Sequence, residues 1–128
     1  MNITGSLFRL HSVLIGIFLS VILSSAYSQS AKFHLYDSLF NETVSFDLEK
    51  AQFYLSEQRK HYSTKLEKVD YWLNSMMFNY KQNQFDAALK DGVMAEKYLK
   101  DVDQRRAGTY VKLQSLIKWK QGDFVGAN

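Results

Sequence analysis

At 128 residues, with 46% hydrophobic and 15% aromatic side chains, the chain is too apolar to remain disordered and long enough for one small domain. Lys and Arg number 16 against 13 Asp and Glu, a formal +3 that is too slight to demand a polyanionic partner. The absence of cysteine excludes disulfides, thiolate metal sites and lipoprotein acylation, so stability must come from packing.

Residues 1–28 carry Arg9 as their only formal charge besides the amino terminus, then an apolar run from Val13 to Leu23, then residues 24–28, small apart from Tyr27. A basic start, an apolar stretch of about 7 to 15 residues and small residues where a peptidase grips an extended chain are the parts of a secretory signal peptide. Ala26 and Ser28 fit the cleavage pockets, which predicts export to a periplasmic or secreted location and a mature chain beginning at Gln29. The alternative is an uncleaved anchor, since a helix over residues 7–26 can cross about 30 Å of hydrocarbon if Arg9 and His11 snorkel.

The remaining residues, 29–128, form the predicted domain. There is no proline, and glycine occurs there only at Gly92, Gly108, Gly122 and Gly126, so little interrupts helix. Helices are predicted over residues 31–40, 47–61, 70–80, 85–99 and 107–119, with polar breaks at 41–45, 81–84 and 120–123. Asp47 suits an N-cap and Glu49 a favourable first-turn charge. Tyr71, Trp72, Ser75, Met76, Phe78 and Asn79 recur at helical spacing, as do Tyr110, Leu113, Leu116 and Ile117, and no strand pattern of comparable length competes. The fold class is all-α.

The breaks repeat. After each comes an aromatic and then an alanine: Phe46 and Ala51, Phe85 and Ala88, Phe124 and Ala127, with the alanines 37 and then 39 residues apart. A two-helix unit of that length is the mark of an α-solenoid. The strings YKQNQFDAAL (residues 80–89) and WKQGDFVGA (119–127) resemble the central turn of a tetratricopeptide repeat, and FDLEKA (46–51) resembles the start of its second helix. Trp72 and Ala95 match that family's first-helix aromatic and a second-helix small residue. Met76 replaces a small residue, Ser75 a leucine, the closing proline is missing, and the third unit aligns only with a one-residue slip at Trp119. The resemblance covers residues 31–128. It implies antiparallel helix pairs stacked as a short solenoid, with alanines where helices approach closely and aromatics filling the groove to the next pair.

Chemistry is sparse. His34 and His61 have no partner at zinc-ligand spacing on one helix, and they are expected at the surface or its boundary. Asp47 with Glu49, and Asp101 with Asp103, are two apart and point away from each other on a helix. No nucleophile motif and no glycine-rich phosphate cradle occurs, so the reading is a non-enzyme without cofactor or metal. Residues 97–120 interleave Tyr98, Tyr110 and Trp119 with basic side chains, a composition suited to nucleic acid. Export argues against that partner, and the face that Tyr110 shares with Leu113 and Ile117 assigns the aromatics to the core. An anionic membrane surface fits somewhat better, although the charges are not confined to one face of one helix.

The resemblance implies a protein or peptide partner, bound on the concave face by first-helix residues: Asp70, Leu73, Met77, Tyr80 and Lys81. Burial explains Leu73 and Met77 equally well. Signal peptide, Gln29 and repeat together resemble the extracytoplasmic region of Bacteroidetes-type sensor proteins, with a free-standing adaptor as the alternative and an exported helical hydrolase behind both. The third unit supplies a first helix and the turn KQGDF but no second helix. Leu113, Leu116, Ile117 and Phe124 are therefore expected to lack part of their cover, leaving the last helix poorly ordered or self-associating.

Overall fold

The computed structural model describes residues 3–122, with side chains from Leu10 onward, and they form five α-helices. α1 spans Ile3–Thr43, α2 Leu48–His61, α3 Lys65–Lys81, α4 Phe85–Leu99 and α5 Gln104–Lys120. The all-helical class holds, and no strand occurs among the described residues. Phe124 and Ala127 lie outside them.

Caps account for the boundaries. Asp47 accepts from the Lys50 N–H and starts α2. α3 begins five residues before the expected Asp70, because Thr64 and Glu67 form a reciprocal capping box. α5 likewise begins at Gln104 because Asp103 accepts from the Arg106 N–H. The α3–α4 turn is made by Asn83 and the α4–α5 turn by Asp101, both at positive φ, a conformation their short polar side chains tolerate.

α1 with α2 and α3 with α4 make the most extensive contacts; α3 also meets both α1 and α2, and α5 meets both α3 and α4. Three buried clusters result. Phe33 and Phe40 of α1 join Ala51 and Leu55 of α2 and Tyr71 and Phe78 of α3. Met76, Ala88, Leu113 and Ile117 link α3, α4 and α5. Val69, Leu73 and Ala95 close the opposite end of the α3–α4 pair. Ala51 and Ala88 hold the same position in α2 and α4, and both are fully buried. The polar members of the α3 face are also satisfied, since Ser75 Oγ and Asn79 Nδ2 both donate to Asp91 Oδ2 at 2.7 Å.

Three expectations are corrected. Phe46 is 77% exposed, because the turn that hydrogen-bonds Val44 N to Phe40 O and Asp47 N to Thr43 O seats Val44 in the cluster and turns Phe46 out. Trp119 is 51% exposed beneath the Lys120 ammonium, not core. It follows Ile117 by two residues, about 200° around the helix from the buried stripe. Leu113 and Ile117 do not lack cover, being enclosed by Met76 and Ala88. On α5 the exposed apolar side chains are Val111 and Trp119.

α1 runs without interruption through the expected cleavage position. Its residues 10–29 are exposed, and this one helix among the described residues is long and apolar enough to cross a membrane. From Ser30 onward it belongs to the folded body.

Candidate functional site

α1, α3 and α5 lie side by side and run in the same direction. Ser30 Oγ of α1 donates to Glu67 Oε1 of α3 at 2.7 Å, and seven residues further along both helices Asn74 Nδ2 donates to Asp37 Oδ1 at 2.7 Å. Between α3 and α5, Arg106 Nε and Nη2 donate to the two oxygens of Asp70, each at 2.7 Å. These partners stand 37, 37 and 36 residues apart.

The three helices enclose a groove of about 280 Å³, walled by Asp37 and Asn41 from α1, Asp70 and Asn74 from α3, and Arg105, Arg106 and Thr109 from α5, with Leu73 at its floor. Two polar networks fix its walls. In the first, Asp37 Oδ1 accepts from Asn74 and from Gln58 Nε2 at 2.9 Å, while Asn74 also donates to Gln58 Oε1 at 3.2 Å. Gln58 is fully buried and ties the groove to α2. In the second, Arg106 bridges Asp70 and its own N-cap, Asp103. The Asp70 hydrogen bonds, against the opposing effect of burial, raise the guanidinium pKa further above its ordinary value, so Arg106 stays charged. Asp103 is held below the usual carboxylate range by the Arg106 N–H and then its side chain.

Of the five residues expected on the concave face, Asp70 and Leu73 line this groove. Asp70 is engaged by Arg106, and Leu73 is buried. Met77 is half-buried between two clusters, Tyr80 leans on Phe85 with ring centroids 6.2 Å apart, and Lys81 is exposed at the last position of α3. The groove and these last three are thus separate features.

The sequence reading missed Asp37, Asn41, Asn74, Arg105 and Arg106. An offset of 36 or 37 residues is the signal that would have found two contacts, because Asp37 with Asn74 and Asp70 with Arg106 are that far apart on α1, α3 and α5. His34 is exposed and His61 half-buried, the latter with Nδ1 2.6 Å from Gln29 Oε1. Among the described residues no group of three or more His, Cys, Asp or Glu side chains could hold a metal ion.

The groove offers the free amide oxygens of Asn41 and Asn74 and the exposed Arg105 guanidinium beside one locked ion pair, over an apolar floor. It can hydrogen-bond a polar chain. Comparison with protein-family models, with characterised proteins and with solved structures finds no match for this chain.

Proposed function

We propose that this chain is an exported, tetratricopeptide-like interaction module that holds a protein or peptide segment in the groove of α1, α3 and α5. The groove carries the reading: three helices from successive units converge on one polar cleft whose walls are already held by Gln58, Asn74 and Arg106. Walls ordered before binding cost a partner less entropy. An extended peptide presents alternating N–H and C=O groups; the Asn74 amide nitrogen is committed to Asp37 and Gln58, so its oxygen is left to accept a peptide N–H, and the exposed Arg105 is left to donate to a C=O. The contact pattern in which α3 meets both helices of the first pair, and α5 both of the second, supports the repeat assignment. Export rests on the exposed apolar start of α1. A sensory role rests on the sequence resemblance, and on α1 contributing both to the groove and to that apolar segment.

Site-specific photocrosslinking tests this in the exporting cell. A photoreactive side chain at Asn41, Asn74 or Thr109 should trap a discrete partner, while the same group at Phe53 or Val93, exposed on α2 and α4, should not. Equal yields from both sets, or none from the groove, would show that the binding face lies elsewhere.

A further inference from the structure

The end of the bundle from which the apolar part of α1 emerges is strongly basic. Gln29 meets His61 there, Ser30 meets Glu67, and Lys65 Nζ donates to the Lys100 carbonyl. These contacts bring residues 29–32, 59–68 and 97–106 to one end. The three segments contain nine Lys and Arg against Glu67, Asp101 and Asp103, a formal +6. Two of the nine, Arg106 and Lys60, are ion-paired with Asp70 and Glu57 just outside these segments, and counting those two carboxylates leaves a formal +4 at the base. Outside the three segments, residues 29–128 hold six basic and ten acidic side chains, those two included, a formal −4. The domain is polarised along the axis of α1.

All five helices supply exposed cations at this base: Lys32, Arg59, Lys65, Lys97, Lys100 and Arg105. Among them Leu66 is exposed, and Lys68 lies over the Tyr62 and Tyr98 rings at 6.0 and 5.6 Å. Apolar and aromatic groups interleaved with lysines suit the boundary between headgroups and acyl chains. Residues 10–28 lie immediately beyond, as an exposed apolar helix of roughly 28 Å, close to the hydrocarbon thickness of a bilayer. Tyr27 stands at the interfacial end of that helix, where aromatic side chains anchor spans.

We infer that this base is a docking surface for an anionic phospholipid bilayer, on which the domain rests while α1 stays in the membrane as its anchor. The inference rests on the proposed export only in requiring that α1 enter a membrane. Lys and Arg near an anionic leaflet are attracted within a screening length, and no linker separates Ser30 from the apolar segment, so the base is held within that range.

The test uses the full chain in nanodiscs of phosphatidylcholine alone or mixed with phosphatidylglycerol. The chain has no cysteine, so a single nitroxide can be placed through Gln104→Cys at the base or Ser45→Cys at the opposite end. Collision with a neutral aqueous nickel chelate should fall severalfold at position 104 in the anionic discs only, and stay constant at position 45. Raising salt from about 0.1 to about 1 M, which shortens the screening length from about 10 to about 3 Å, should restore it. Combining Lys32→Gln, Lys65→Gln, Lys97→Gln and Lys100→Gln should abolish the effect with helicity unchanged. The equal charge loss of Lys81→Gln, Lys90→Gln, Lys112→Gln and Lys120→Gln should not. The same accessibility at position 104 in both lipids, or equal sensitivity to the two quartets, would overturn the docking surface alone. Recovery of the exported protein as a soluble species beginning at Gln29 would overturn the anchor, and the docking with it.

Discussion

Acid should remove a contribution that resides in a single carboxylate. Glu67 is 2% exposed, and its oxygens accept from Ser30 Oγ, Ser63 Oγ and the N–H groups of Ser63 and Thr64. Burial by itself would raise its pKa; the Thr64 N–H, Ser30 and Ser63 together outweigh burial and hold the group at about 2, against an ordinary 4.5. The folded value is the lower one. Ionised Glu67 therefore stabilises the fold fully above the unfolded pKa, and that contribution is lost as pH falls from about 4.5 towards about 2. At about 1.36 kcal/mol per unit the shift is worth at most roughly 3 kcal/mol, reduced where water reaches the exposed Ser63 and Thr64. Glu67→Gln keeps the shape and removes the charge. In urea unfolding followed by far-ultraviolet circular dichroism, the variant should be less stable by about 2 kcal/mol near neutral pH, with the gap closing by about pH 2.5. Ser30→Ala should cost about 1 kcal/mol through the lost bond between α1 and α3. A gap between wild type and Glu67→Gln that stays constant from neutral pH into acid would refute the reasoning.

Other consequences are open to measurement. Asp70→Asn or Arg106→Met should each destabilise by about 1–3 kcal/mol, between the values for exposed and buried pairs, and a double-mutant cycle in urea should show strong coupling; additive losses would show that the bidentate pair does not form. Ile117→Ala should cost about 2–4 kcal/mol if α5 is seated on Met76 and Ala88, whereas a loss under about 1 kcal/mol in thermal unfolding would mean that α5 is detached. A Cβ on Gly92 would lie 3.3 Å from Met76 Cε and 3.5 Å from Tyr110 Cε2. Gly92→Ala should therefore stay within about 1 kcal/mol of wild type, since better helix propensity offsets the tight fit at a flexible methionine end, while Gly92→Leu should cost about 1–3 kcal/mol in the same unfolding assay.

Local rules reached as far as local physics does. Asp47 was legible as a cap because the cap is made by the Lys50 N–H three residues on, and Ala51 and Ala88 were legible because close approach needs a small side chain at one place in α2 and in α4. Thr64 and Glu67 carry an equally local capping signal, yet the first turn they start is polar and hides from an apolar periodicity. Phe46 and Trp119 show the limit of composition, since an aromatic side chain is core only if its helix turns it inward. Of the groove's lining, Asp70 and Leu73 were singled out in the sequence, through a resemblance rather than through any local rule. Its remaining walls depend on which residues of α1 and α5 come level with Asn74 and Asp70, a register set by tertiary packing, and no nearby pattern records it.

From Gly16 to its end at Thr43, α1 contains no further glycine and no proline, and it runs as one continuous helix from the apolar segment into the groove. Asp37 and Asn41 are mounted on the same rod as the apolar segment. Asp37 is nine residues from Ser28, roughly 14 Å of helix at about 1.5 Å per residue, too short a shaft to absorb a twist. A ligand that turned Asp37 about the rod's axis would turn the apolar segment through nearly the same angle, and one that pushed along the axis would drive it as a piston. Torque applied in the groove would reach the far end of α1 without a gear between.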